Sequence, residues 1–217
     1  MDRHHSRKTS RTAKRKEHKK MVIVCEGETE IIYFKNYKKF VRNELEIKTP
    51  STNDTDPVSL VEFALSQIER FELNLRKGDS VWCVFDCDAN TDKQARDQQI
   101  SKAKKKATPK KIKICFSNPC FELWFLLHFD RLSVDSQLTK EVLFSRLSKN
   151  ISDYKKTSDY FESLSPKMET ACQNAKHLVM LHEQNDLEII GVDSNPSTLV
   201  FQIVEDIQKF IQNEKQV

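Results

Sequence analysis

Glycine is scarce in this chain: Gly27, Gly78 and Gly191 are the only three in 217 residues. A Walker A loop and a dinucleotide-binding GxGxxG turn both need closely spaced glycines, so nucleotide binding through either loop is excluded. Long apolar runs are missing too. The longest nearly apolar stretch, Phe121 to Phe129, falls far short of the ~20 residues that cross a bilayer, so no membrane partner is expected. Residues 1–20 contain no apolar run, and no secretory leader is read there. The six cysteines (25, 83, 87, 115, 120 and 172) include no CxxC pair. Cys83-x3-Cys87 and Cys115-x4-Cys120 have no matching histidine pair downstream, so structural zinc is not expected. Reduced, buried, inert thiols in a cytoplasmic protein are the favoured reading.

What the chain does have is charge, unevenly placed. Residues 1–20 hold nine Lys/Arg against Asp2 and Glu17, a net of +7 in a chain whose total is +4, which leaves the remainder at −3. A basic arm on a mildly acidic body suits a polyanion, through counterion release. Arg11, Lys14, Arg15, Lys16, Lys19 and Lys20 are its candidate nucleic-acid contacts. The bland alternative is a solubilising leader.

The pattern after the arm alternates strands with helices. Met21 to Cys25 is a short β-branched run that reads as a strand buried on both faces. Residues 28–41 carry helical spacing, and a second strand is expected near 44–48. Asp56-Pro57 supplies an N-cap and a proline at the first helical position, and the apolar spacing predicts a helix up to Lys77-Gly78. Val81 to Phe85 is a third strand, followed by a polar helix over about 92–107 and a fourth strand from Ile112 to Phe116. Ser117-Asn118-Pro119 then reads as a cap for a helix ending near Phe129. Beyond residue 130 the pattern is mainly helical, near 139–148 and 166–183, with a candidate strand from Leu187 to Val192. Ser194-Asn195-Pro196 reads as the same capping device used again, for a last amphipathic helix. Together these predict an α/β fold, a parallel sheet flanked by helices, with a mainly helical C-terminal extension. The division expected is a flexible arm at 1–20, a core at 21–130 and a helical region at 131–217 packed on it.

Open parallel sheets gather ligands beyond the carboxyl ends of their strands. Glu26 directly follows the first strand, and Asp86 and Asp88 directly follow the third. Three carboxylates at two such ends suit a hard cation such as Mg2+, which prefers oxygen ligands. Glu26 could instead be the base for a bound water. Glu30 lies four residues beyond Glu26 and would share its helix face, as an outer ligand. Glu28 points elsewhere and is explained by the helix dipole. Glu122 stands alone in an otherwise apolar helix, one position past the capping-box site, so it needs a metal, a cationic partner or a proton. His128, near a helix end, reads as a complement to the dipole. Lys155 and Lys156 follow Tyr154 and could place a cation near a scissile phosphate. The aromatics of 121–129 read as core.

Val22-Ile-Val-Cys-Glu-Gly-Glu-Thr-Glu30 with Tyr33-Phe34, Val81 to Asp88, Phe116-Ser-Asn-Pro-Cys-Phe-Glu-Leu-Trp124 and Asn195-Pro-Ser-Thr198 resemble the RloB-like family over about residues 12–210. That resemblance implies a TOPRIM fold, with Glu26 matching the glutamate after the first strand and Asp86 and Asp88 matching the DxD after the third. It also implies Mg2+ (or Mn2+) in phosphoryl-transfer chemistry, and a separate ATPase partner in abortive-infection defence against phage. The expected function is a Mg2+-dependent nuclease of TOPRIM type. The alternatives are a non-catalytic regulatory or nucleic-acid-binding subunit of an ATPase-containing complex, and a primase-like nucleotidyltransferase. The sequence leaves open DNA against RNA, tRNA included, and whether the chain forms a homo-oligomer.

Overall fold

A computed structural model describes residues 18–41, 45–88 and 92–215. Strand β1 (Lys19–Cys25) is followed by helix α1 (Glu28–Val41), β2 (Leu45–Lys48) and α2 (Pro57–Arg70). Then come β3 (Ser80–Asp86), α3 (Lys93–Ala107), β4 (Lys113–Asn118) and the short α4 (Glu122–Leu126). The last part holds α5 (Lys140–Asn150), α6 (Phe161–Leu164), α7 (Met168–Gln184), the two-residue β5 (Ser197–Thr198) and α8 (Val200–Lys215). The sheet order is β2-β1-β3-β4-β5, with the first four strands parallel and β5 antiparallel to β4. The fold is therefore the expected α/β type, with one antiparallel edge that the sequence pattern did not suggest.

Parallel strands need right-handed crossovers. The step from β1 through α1 to β2 runs outward and the step through α2 to β3 runs back, so α1 and α2 lie on opposite faces. Helices on both faces explain why Met21 to Cys25 and Val81 to Phe85 are buried at every position. Apolar residues of α5, α7 and α8, such as Leu143, Leu178 and Ile203, belong to the same buried cluster as the strands. Among the described residues, no helix is long and apolar enough to cross a membrane.

Several local expectations need correction. Asp56 does cap α2, its carboxylate accepting from the amides of Val58 and Ser59 at 3.0 Å each. The helix then stops at Arg70 and not at Lys77: Phe71 closes it, Glu72 turns to φ 52°, and Gly78 (φ 103°) ends a separate 3-10 turn. Neither Ser-Asn-Pro triplet caps a helix. Asn118 is the last residue of β4, and Asn195-Pro196 leads into β5, so the triplets meet across the β4–β5 ladder. Residues 187–192 form bends and turns in place of the expected strand. Their carbonyls are taken by side chains: Ser194 Oγ donates to Ile189 O and Gly191 O, and Asn118 Nδ2 donates to Val192 O. His128 does not serve the helix dipole. It is buried, burial lowers its pKa to about 4, and its Nδ1 hydrogen-bonds Trp124 O at 2.8 Å.

Candidate functional site

The adjacency of β1 and β3 brings Glu26 and Asp86 together. Cys25 pairs with Val84 in register, the Glu26 amide donates to Val84 O, and the Asp86 amide donates to Glu26 Oε2 at 3.1 Å. Asp86 Oδ1 is buried and has no hydrogen-bond partner. Sixty residues of chain separate these two acids, and the parallel register alone closes the gap.

Glu30 arrives from the first turn of α1 and is only 4% exposed. Its carboxylate folds back over Gly27, where an added Cβ would lie 2.6 Å from Glu30 Oε2. The glycine between the two glutamates thus makes room for the second one. Glu122, 3% exposed, opens α4. Tyr154 OH donates to its Oε1 at 3.4 Å, and Lys156 Nζ lies 3.8 Å away. A buried aromatic clamp sets α1 beside α4: Trp124 Nε1 donates to the Tyr33 hydroxyl at 2.9 Å, and the Tyr33 ring meets those of Phe121 and Phe125. These aromatics are core, as expected, and they hold the helices that carry Glu30 and Glu122.

The acids perturb one another. Burial raises the Asp86 pKa well above the carboxylate range, with the charges of Glu30, Glu122, Glu26 and Asp88 adding to it. Burial also pushes Glu30 to about 7, helped by Glu122 and Glu26, and raises Glu26 against the opposing pull of the Asp86 amide and Arg96. Each of these acids is thus harder to ionise than a solvated carboxyl group.

Asp88 stands apart at the rim. It is exposed, adopts φ 41° and forms an ion pair with Lys140. Glu28 is exposed, as the dipole reading requires. Lys155 is exposed, with its backbone held by the Tyr160 hydroxyl. Lys19 and Lys20 lie at the amino end of β1, the edge away from the acids, and Lys20 Nζ donates to Phe71 O at 3.0 Å. Arg11, Lys14, Arg15 and Lys16 lie outside the described residues. All six cysteines are buried, and burial raises the pKa values of Cys25, Cys83, Cys115, Cys120 and Cys172.

Two cations were missed by the sequence reading. Arg96 donates from Nε to Cys87 O and from Nη2 to Asp86 O, each at 2.6 Å, and its Nη2 lies 3.8 Å from Glu26 Oε2. It pins the backbone that carries Asp86 and Cys87. Lys140 is the other. Lys140 opens α5, where the dipole disfavours positive charge, whereas Arg96 lies one turn into α3. For Lys140 that misplacement was a readable oddity, though it does not name Asp88 as the partner.

Among the described residues, no three His, Cys, Asp or Glu side chains stand in an arrangement that could hold a metal ion. The donor set is nonetheless all carboxylate oxygen, and the orphaned Asp86 Oδ1 fits a hard cation.

A family model described as RloB-like protein matches residues 21–207. No curated protein and no solved structure matches the chain.

Proposed function

We propose that this chain, which belongs to the RloB-like family, is a divalent-metal-dependent nuclease of TOPRIM type that cleaves phosphodiester bonds in nucleic acid. The observation that supports this reading is the partnerless Asp86 Oδ1 at the carboxyl edge of the sheet, beside the half-buried Glu26 and within electrostatic reach of the buried Glu30 and Glu122. Asp86 and Glu26 would hold Mg2+ or Mn2+, with Glu30 and Glu122 on the helix side and Asp88 at the rim. A bound ion of this kind supplies an activated water and neutralises charge on the departing oxygen. The protein's own part is positional. Arg96 fixes the strand end, and Gly27 lets the Glu30 carboxylate lie over the turn. Glu30, titrating at about 7, is suited to take a proton from water at neutral pH. The setting we propose is the cytoplasm, as effector of an anti-phage system with a separate ATPase.

The test is incubation of the purified chain with tRNA, single-stranded DNA and duplex DNA, in Mg2+, Mn2+ or EDTA. Cleavage should require the metal and fall by at least about 100-fold in Glu26→Gln and Asp86→Asn. Undiminished cleavage by folded variants would overturn the reading. A second reading, a non-catalytic subunit, draws on the engagement of the acids by Arg96, Lys140 and Lys156 and on the lack of a ready three-ligand arrangement among the described residues. On that reading no substrate is cut under any of these conditions.

A further inference from the structure

Lys140 is badly placed for its helix and well placed for something else. It opens α5, where the helix dipole opposes its charge, yet Thr139 caps the same helix properly through the Val142 amide. Its ammonium pairs with Asp88, and its charge also acts on Glu26. A cleft of about 290 Å3 opens beside the pair at the carboxyl edge of β3 and β4. Asp88, Lys93, Asn118, Thr139 and Lys140 are among the residues that line it. Lys93, the first residue of α3, is a second cation set against a helix dipole on this cleft, and it is exposed.

An ammonium and a divalent cation repel each other and cannot share one carboxylate at low cost. If Asp88 joins a metal site, Lys140 has to leave it, and its flexible stem lets the charge swing into the cleft. We propose that this cleft is the subsite for a backbone phosphate of the nucleic-acid substrate, and that Lys140 exchanges Asp88 for that phosphate once Asp88 is engaged by a divalent cation. The inference rests on the nuclease reading of the acids and adds to it a place and a partner for the substrate. Lys93 supplies the second positive wall. No bond is made or broken in the exchange; one ion pair replaces another.

The experiment uses the full chain and two probes. Mn2+ binding is followed by electron paramagnetic resonance without nucleic acid, and a phosphorothioate-linked oligonucleotide is titrated in Mn2+ by fluorescence anisotropy. Lys140→Gln should bind Mn2+ about fivefold more tightly, since a competing cation is gone. The same variant should bind the oligonucleotide more weakly, with a log–log salt slope shallower by about one. Lys140→Arg should restore the slope. A merely structural ion pair would not move the two affinities in opposite directions. Lys93→Gln, at an exposed position that does not threaten the fold, should shallow the slope while leaving Mn2+ affinity unchanged. Equal or weaker Mn2+ binding by Lys140→Gln, or an unaltered salt slope in both variants, overturns the exchange. Wild-type chain that binds no Mn2+ removes the nuclease reading and this inference with it, whereas Mn2+ binding without the opposed shifts removes this inference alone.

Discussion

A carboxyl group that titrates near neutrality makes the metal-free molecule sensitive to pH. Glu30 ionises at about 7 in the folded protein because burial disfavours its charge and Glu122 and Glu26 repel it, against an ordinary value of 4.5. Between those two values the native state binds the proton more tightly than the unfolded chain does. Its contribution to stability is therefore fully present below about 4.5 and is lost as pH rises through about 7. Thermal unfolding in EDTA should show a melting temperature that falls by roughly 5 °C across that window, and Glu30→Gln should flatten the fall. A profile that is identical in wild type and variant would mean that Glu30 is solvated. Glu26, Asp86 and Asp88 were legible in the sequence because each follows a β-branched or aromatic run, and chain direction alone sends them to one edge. Asp88's actual partner was not legible, since Lys140 lies 52 residues away along the chain and its place at a helix start does not say which acid it meets. Arg96 was hidden in a lysine-rich helix that looked like solvated surface.

The elements show where periodicity suffices and where it fails. β1, α1, β3 and α8 follow from strand runs and helical spacing, because each buries a continuous face that its neighbours dictate. The two Ser-Asn-Pro triplets read as helix caps because serine and asparagine before proline fit that chemistry. Their real use is to join distant segments, which no local rule contains. Asn195 Nδ2 donates to Asn118 Oδ1 at 2.9 Å and to Leu138 O at 3.1 Å, and its Oδ1 accepts from the Leu138 amide. Leu138 precedes Thr139, the cap of α5, so this one carboxamide sets where α5 begins. Asn195→Ala leaves these groups unpartnered and should lower stability by about 1–3 kcal/mol, measured as a lower urea midpoint with an unchanged slope. A change below about 0.5 kcal/mol would show that water replaces the carboxamide at no cost.

On the scale of the whole molecule, the sequence concentrates positive charge ahead of the described sheet. The described sheet begins at Lys19, whereas residues 1–17 contain seven Lys/Arg. A chain lacking residues 1–17 should melt as the full chain does. It should bind RNA or DNA more weakly, its salt slope reduced by about 0.9 for each phosphate that the arm no longer neutralises. Filter binding at several salt concentrations checks this, and an unchanged slope would leave the arm as a solubility device. The β4–β5 seam works within the described fold, since it joins residues 195–198 to the neighbourhood of the rim where Asp88 and Lys140 meet. Copies that end before residue 195 lack both the β4–β5 pairing and the carboxamide that holds Leu138, the residue before the cap of α5.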